Sequence, residues 1–466
     1  MSQLTFGMTT ICGNTIPFCY EYETEKITIS PGSRLITIPD KMDQIVGQKF
    51  GMMTGGNILY KLSVPLSNDC MAFVGKDATP VSLANQERYV DYFIEDYYEN
   101  SSYTEMRLRF PELNYFIPST SRTNLSKDEI IFFRIKETLY NFDIKYCDTM
   151  VSVSFNIGMN MNQHVKSIAE TISEVSLKFP ETDDLEYLIE LYNDVRCFFS
   201  FICNRQNIGL RNAELIGNYP RKTIENSVIT DSIGYTSQKL VLSQKYLEPL
   251  EDEKKVKKTP NSSLFSENLQ KLFQLFFPEK AEGIALVNRN SIHSSFKYRN
   301  LIDLEQSLHI TTTFEYYMRA IMPEISSQET IDFYKDINAF VDEYISKSSG
   351  KRKQKAKEFK KTLRPPISLK EKVVKAYEGY STWQPLKPIL SEWFGDDITV
   401  LAKTANDWRN ELAHAKREYQ PSINVINAIR LVEHVNYCIV LRHAGYNDEQ
   451  IKSIISDTLI RYKFDN

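Results

Sequence analysis

The sequence predicts an α+β fold, in which a β-rich N-terminal domain precedes an all-α bundle of helices. Alternating apolar and polar residues dominate the first half, whereas apolar residues spaced three and four apart dominate the second. The chain has 466 residues, and single hydrophobic cores stop growing at roughly 250 to 300 residues. We therefore expect two domains, residues 1–263 and 264–466, with a linker at 248–263.

Period-two alternation predicts the strands of the first domain. In residues 151–157, four apolar side chains alternate with Ser and Asn, which is typical of a strand with one buried face. Similar stretches, separated by clusters of Gly, Pro, Asn and Ser, favour an antiparallel sheet or sandwich. They are 26–30, 34–38, 58–64 and 106–110.

A long amphipathic helix follows these strands, and we expect it to pack on the sheet. Its apolar residues recur at spacings of three and four, which places them on one helix face. They are Leu185, Leu188, Ile189, Tyr192, Val195, Phe198 and Phe199. The charged segment 248–263, by contrast, contains two prolines and few apolar residues, a composition typical of a linker.

In the second domain, periodic apolar residues predict long helices at 301–321 and 328–344. The run 347–364 contains nine Lys or Arg residues and a single acidic residue. Two interpretations of this run stay open: a solvated loop, or a contact with a phosphate backbone. Under the second interpretation, the candidate RNA-binding residues are Lys351, Arg352 and Lys353.

Composition argues against several function classes. Lys and Arg number 56 against 60 Asp and Glu. The chain therefore lacks the overall excess of positive charge that would indicate a nucleic-acid partner. No two of the seven cysteines have metal or redox spacing, and no glycine-rich phosphate loop or nucleophile elbow occurs. We expect no metal and no cofactor. Without a signal-peptide pattern or an apolar run of about 18 residues, we expect a cytoplasmic protein that does not contact the membrane.

A helix over 398–415, preceded by Asp396 and Asp397 as N-terminal caps, carries the strongest functional signal. Its apolar stripe, which must face a core, consists of Ile398, Leu401, Ala405, Trp408, Leu412 and Ala415. At 100° per residue, polar side chains occupy a sector of about 80° nearly opposite that stripe. They are Lys403, Asp407, Asn410, His414 and Arg417.

Within this helix, Arg409, Asn410 and His414 form the motif R-N-x-x-x-H. A histidine exchanges a proton near neutral pH, and a guanidinium neutralises a phosphate that carries developing charge. Both groups suit metal-free RNA scission, in which the ribose 2′-hydroxyl attacks the adjacent phosphorus and leaves a cyclic phosphate. Arg409 lies about 140° from His414 around the helix, so it must reach around or act on a group held between two helices. On spacing alone, a solvated face with pairs of residues four apart stays an alternative.

The motif, late in an all-helical region and preceded by two long helices and a variable insertion, resembles the HEPN domain (higher eukaryotes and prokaryotes nucleotide-binding). With its β-rich first half, the chain resembles the ApeA-like anti-phage proteins of bacteria. This resemblance implies a metal-independent endoribonuclease that cleaves RNA, transfer RNA included, and halts the growth of infected cells. It also implies that Arg409 holds the scissile phosphate, that His414 transfers protons, and that Asn410 orients one of them.

The resemblance further implies partners. Family members usually pair their motif helices across a two-fold axis, so we expect a homodimer through the HEPN-like domain. We expect RNA to contact the nearby cations Lys403, Lys416 and Arg417. We also expect a phage-derived trigger to activate the protein, and the first half to act as a sensor or a regulator of the nuclease. Two alternatives stay open. One is a non-catalytic RNA- or nucleotide-binding module, and the other is a protein-interaction module whose effect residues 1–260 alone would reproduce.

Overall fold

The computed structural model describes most of the chain. The described residues are 4–30, 42–50, 57–66, 72–73, 80–81, 86–117, 137–160, 170–225, 228–243, 248–277, 289–299, 302–321, 328–363, 368–380, 383–413 and 421–460. They form two compact units. The first unit contains the described residues of 1–199 and 207–262 together with Phe277, and the second contains those of 200–206, 263–276 and 282–466.

The first unit is built mainly of antiparallel strands, which confirms the predicted β-rich half. The strands are β1 (Leu4–Ile11), β2 (Asn14–Glu21), β3 (Lys26–Ile29), β4 (Met42–Lys49), β5 (Asn57–Leu66), β6 (Ala72–Phe73), β7 (Pro80–Val81), β8 (Gln86–Tyr97), β9 (Ser102–Leu108), β10 (Glu137–Tyr146), β11 (Thr149–Asn160), β12 (Glu170–Thr182), β13 (Asn212–Glu225) and β14 (Val228–Leu242). Strand β9 begins four residues before the predicted stretch at 106–110. The predicted strand at 34–38 lies outside the described residues.

Six of these strands close into a barrel in the order β8, β3, β2, β1, β4 and β5, because β5 pairs with both β4 and β8. Aromatic rings fill its interior. Phe18, Tyr20 and Phe93 surround Tyr60, with ring centroids 5.3 to 5.8 Å from that of Tyr60. Gly47 of β4 lies against the ring of Phe18 from β2, and a Cβ atom at Gly47 would collide with that ring. The barrel is therefore a packed core, in which burying each large side chain contributes about 1.5–3 kcal/mol.

From β8 the sheet continues through β14, β13, β9, β12, β11 and β10. Helix α2 (Leu185–Cys203) packs its apolar stripe on this part of the sheet, as predicted. The Phe199 ring lies 4.7 Å from that of Phe110 and 6.4 Å from that of Phe155. Phe198 contacts Phe116 in the short helix α1 (Pro111–Phe116). The alternating side chains of β11 supply the other half of this core, because every second residue points towards α2.

The segment 248–263, predicted as a linker, is ordered and packed in the first unit up to Ser262. It contains the short helix α3 (Glu253–Val256). The Asn207 side-chain amide donates to the carbonyl of Pro249 at 2.7 Å, and the Tyr140 hydroxyl donates to Ser262 Oγ at 3.2 Å. Its composition favoured a linker because most of its residues are charged or polar, while the two contacts above join it to residues at least 42 positions away in the chain.

The second unit is helical, which confirms the predicted all-α half. Its helices are α4 (Leu269–Gln274), α5 (Leu304–Ile321), α6 (Gln328–Lys347), α7 (Gly350–Thr362), α8 (Leu369–Glu378), α9 (Lys387–Phe394), α10 (Thr399–Ala413), α11 (Ile423–His443) and α12 (Asp448–Ile455). Helix α11 is the centre of the bundle, since nearly every residue from Ala428 to Leu441 is buried. Helices α5, α8, α10 and α12 pack around it.

The basic run at 347–364 is not a loop, so the first interpretation of that run was wrong. It contains the whole of α7, which packs against α6 as the second helix of a hairpin. The Lys360 ammonium donates to both carboxylate oxygens of Asp342 at 2.5 Å and ties the two helices together. Lysine has a high helix propensity, so a lysine-rich sequence forms a helix once a neighbouring helix supplies contacts.

Candidate functional site

Helix α10 carries the first two motif residues, Arg409 and Asn410, and is held by its apolar face. Ala405 and Trp408 are buried, as predicted, and Ala402 joins them. Upstream, the Thr399 backbone N–H donates to Asp397 Oδ1 at 2.9 Å, which confirms Asp397 as the capping residue. Hydrogen bonds from Thr399 lower the pKa of the Asp397 carboxyl. Arg409 and Asn410 therefore lie on a helix whose rotation about its axis is fixed.

The polar face of α10 is open to solvent. Lys403, Asp407 and Asn410 are exposed, on the side opposite the buried stripe. The remaining candidates on this stretch, His414, Lys416 and Arg417, lie outside the described residues. The described geometry of the site accordingly concerns Arg409, Asn410 and their neighbours.

The guanidinium of Arg409 donates hydrogen bonds to two side-chain oxygen atoms. Its Nη2 donates to Glu315 Oε2 at 2.9 Å, and its Nη1 donates to Asn410 Oδ1 at 3.3 Å. The Arg409 side chain is 30% exposed, so the guanidinium is positioned by the protein and still open to a ligand. Its buried Nε has no hydrogen-bond acceptor within the described part of the chain.

Glu315, on α5, is the residue that sequence reasoning missed. Its side chain is 16% exposed and lies between two cations, since the Lys372 ammonium of α8 is 3.8 Å from Glu315 Oε1. One carboxylate thus faces two positive charges, which leaves the three-residue group with a net charge of about +1. An acidic residue between the buried side chains of Phe314 and Tyr317 was the available signal.

The candidate RNA-binding residues fall into separate places. Lys403 shares the exposed face of α10 with Asn410. Lys351 and Arg352 are exposed and Lys353 is half-buried on α7, whose main neighbour is α6. The structure thus brings Lys403 onto the helix that carries Arg409, and places the α7 cations on a different hairpin.

A family comparison covers this site. Residues 308–450, about a third of the chain, match the family model described as Apea-like HEPN. The second unit contains an Apea-like HEPN domain. This confirms the resemblance that the motif predicted, and the matched region includes Glu315, Lys372 and Arg409. No curated protein and no solved structure matches the chain significantly.

The hydropathy of the helices was compared with what a membrane-spanning helix needs. Among the helices in the described ranges, none is both long and apolar enough to cross a membrane. This holds also for α11, although α11 is buried on almost all sides.

Proposed function

We propose that the HEPN domain is a metal-independent endoribonuclease that cleaves RNA in anti-phage defence and so halts the growth of infected cells. The observation that carries this proposal is the placement of Arg409, which Glu315 and Asn410 hold beside an exposed polar helix face. A guanidinium fixed in advance stabilises developing phosphate charge without reorganising during the reaction. The Apea-like HEPN match supports ribonuclease chemistry as the reaction class.

In the proposed reaction, the ribose 2′-oxygen forms a bond to the adjacent phosphorus and the bond from phosphorus to the 5′-oxygen breaks. A base removes the 2′-hydroxyl proton, and an acid gives a proton to the leaving 5′-oxygen. His414 serves in this proton transfer, while Arg409 binds the non-bridging phosphate oxygens as their negative charge grows. The products are a 2′,3′-cyclic phosphate and a free 5′-hydroxyl. DNA is spared because it lacks the 2′-hydroxyl.

The charges around Arg409 support a phosphate ligand. Glu315 lies between two cations, Arg409 and Lys372, so these two positive charges share one carboxylate. Arg409 lies beside the exposed face that presents Lys403, Asp407 and Asn410. Glu315 therefore acts as a positioning residue that fixes the guanidinium without abolishing the attraction for a phosphate.

Other parts of the proposal rest on the resemblance. These are the pairing of motif helices in a homodimer, activation by a phage-derived trigger, the role of the β-rich half as a sensor, and RNA contacts by Lys416 and Arg417. They stay predictions, as do RNA contacts by Lys351, Arg352 and Lys353. Among the described candidates, Lys403 shares a helix face with Asn410, whereas Lys351, Arg352 and Lys353 lie on α7.

The first experiment compares purified full-length wild type with Arg409→Ala and His414→Ala on total RNA and labelled transfer RNA in EDTA. We expect fragments ending in a cyclic phosphate from the wild type, and a loss of at least about 100-fold in either variant. His309→Ala is a matched control, since His309 lies on α5 and pairs with Glu305. Cleavage by His414→Ala would contradict the assignment. RNA binding without product, even with phage lysate added, would favour the non-catalytic module.

A second experiment tests Glu315 as a positioning residue. Glu315→Ala removes a charged hydrogen bond from Arg409, which is worth roughly 1.5–3 kcal/mol, and we expect kcat to fall about 10- to 100-fold. Glu315→Gln keeps an acceptor for Arg409 and should recover most of that loss. A purely structural role would instead lower the thermal midpoint and the active fraction of both variants, with KM and kcat per active molecule unchanged.

A further inference from the structure

The hairpin of β13 and β14 extends beyond the sheet as a two-stranded ribbon. Strand β14 pairs with β8 only at Lys239–Leu242, and β13 pairs with β9 only at Glu214–Asn218. Beyond these residues, β13 and β14 pair only with each other among the described strands. The ribbon therefore has two outer edges, and the edge of a strand presents backbone N–H and C=O groups that can pair with another chain.

The root of this ribbon is held by stacked aromatic rings. Tyr219 of β13 stacks on Tyr98, with ring centroids 4.1 Å apart and ring planes 16° apart. Gly234 of β14 lies opposite Tyr219, and a Cβ atom at Gly234 would collide with the Tyr219 ring. Near its root the ribbon is therefore fixed in position, so a ligand that binds there does not have to order it first.

Backbone hydrogen bonds show which groups of β14 point away from β13. The Leu242 N–H donates to the Arg211 carbonyl at 3.4 Å, beside the start of β13. The Ser243 N–H donates to the Asp91 carbonyl of β8 at 2.8 Å, on the opposite side. Because this direction alternates along a strand, and the β13–β14 register has no shift, odd-numbered residues of β14 point away from β13. Beyond the segment that pairs with β8, they include Asp231, Ile233, Tyr235 and Ser237.

Strand β8 leaves this edge of β14 at Asp96. The residue before it, Glu95, is the last of β8 that pairs with β14. Asp96 has a φ of 58°, in the left-handed region that few residues other than glycine adopt, and Tyr97 pairs with Asn57 of β5 instead. Among the described strands, none continues the line of β8 along residues 231–237, a length of about 20 Å.

The two edges of the ribbon differ in the features that prevent pairing with other chains. Natural edge strands are protected by proline, lysine and other charged residues. The edge of β13 carries Pro220 and Lys222, and Pro220 lies directly opposite Ile233. The edge of β14 has neither proline nor lysine at 231–237, and its Ile233 and Tyr235 are 80% and 69% exposed. Only the β14 edge of the ribbon therefore suits an added strand.

We propose that residues 231–237 of β14 bind an extended peptide segment of another protein, which adds a strand to the ribbon. The four outward residues supply four N–H donors and four carbonyl acceptors, and an extended peptide carries the same groups at the same spacing. Such main-chain hydrogen bonds give affinity, while side chains at alternate positions give specificity. Ile233 and Tyr235 share one face of β14, so the partner segment carries apolar side chains at alternate positions and no proline. The inference does not depend on the proposed ribonuclease activity.

The first test measures amide hydrogen exchange of the full-length protein, without a partner, at single-residue resolution. We expect the amides of Ile233 and Tyr235 to exchange at least about tenfold faster than those of Ser232 and Gly234, which point towards β13. Slow exchange at all four amides would mean that the chain itself covers this edge, and would overturn the inference. Protection of Ile233 and Tyr235 that rises with protein concentration would identify a second copy as the occupant, with the same consequence.

The second test selects peptides that bind the full-length wild type from a yeast-displayed library of random sequences. A peptide of about ten residues is long enough to span the edge. We expect the selected peptides to have β-branched or aromatic residues at alternate positions, and their synthetic copies to slow the exchange of the Ile233 and Tyr235 amides. A selection that yields only peptides leaving both amides unprotected would overturn the inference.

Proline variants separate the two edges. Ile233→Pro removes one outward N–H and no hydrogen bond within the ribbon, so the dissociation constants of the selected peptides should rise at least about tenfold. Lys222→Pro makes the same change on the β13 edge, since Lys222 lies opposite Asp231, and is the matched control with unchanged constants. Ile233→Val keeps the N–H and a β-branched side chain, and should bind as the wild type does. Equal effects of the two proline variants, at matching thermal midpoints, would show that the peptides do not use the β14 edge, and the inference would be wrong.

Discussion

Helices α2 and α6 have nearly the same length, 19 and 20 residues, and both carry aromatic side chains at helical spacing. In α2 those side chains are buried, and Phe198 and Phe199 contact rings of the first unit. In α6 the corresponding face leaves Phe333 and Phe340 largely exposed. The comparison teaches that apolar periodicity identifies the face that a helix can bury, whereas the partner that buries it is decided elsewhere in the chain or in another chain.

The largest loss of stability is expected at Phe198 of α2, where the aromatic face of the helix is buried. Phe198→Ala should lower the free energy of unfolding by about 3–5 kcal/mol, because it leaves a cavity between α2 and the sheet. Urea unfolding followed by circular dichroism measures this. Leu250→Ala, at an exposed apolar side chain of the first unit, is the control and should change the midpoint little. A loss below about 1 kcal/mol for Phe198→Ala would mean that α2 is not held by this core.

Asp194 of α2 makes the free energy of unfolding of the protein depend on pH. Burial raises the pKa of its carboxyl to about 7, although a hydrogen bond with Tyr146 opposes the shift. Between about pH 4 and 7 the folded state therefore holds a proton that the unfolded chain has released, so stability falls as pH rises through this window. Asp194→Asn, which keeps an acceptor for Tyr146, should raise the stability at pH 8 by up to about 4 kcal/mol.

The measurement for Asp194 is the urea midpoint of wild type and variant at pH 4, 6 and 8. The two curves should approach each other at pH 4 and separate as pH rises. Parallel curves at all three pH values would show that the Asp194 carboxyl titrates normally. Asp148→Asn is a control, since Asp148 lies at the turn between β10 and β11.

The smallest effect is expected at Phe340 of α6. Phe340→Ala should change the free energy of unfolding by less than about 0.5 kcal/mol, because the Phe340 side chain is 70% exposed. Urea unfolding followed by circular dichroism measures this change. A large loss would place Phe340 in an intramolecular core, as Phe198 is.

Local patterns accounted for the elements of the fold but not for their assembly. Alternation located β3, β5 and β11, and three-and-four spacing located α2, α5, α6 and α10. Closure of the barrel was not predicted, since it depends on the pairing of β5 with β8, which no local pattern encodes. Helix α7 was missed because a lysine-rich run has the composition of both a loop and a helix.

The same limit applies to the candidate site. The motif located Arg409 and Asn410, and helical geometry correctly placed Asn410 on an exposed face. Glu315 was missed because it lies 94 residues from Arg409 in the chain, and only the packing of α5 beside α10 brings the two together. The lysine of α8 that shares this carboxylate was missed for the same reason.

Strand β8 has a consequence for how the first unit loses structure. Its residues pair with β3 and β5 of the barrel and with β14 of the open sheet. A slip of β8 by one residue would turn its side chains to the wrong face in both parts together. Barrel and open sheet therefore cannot change register at β8 separately.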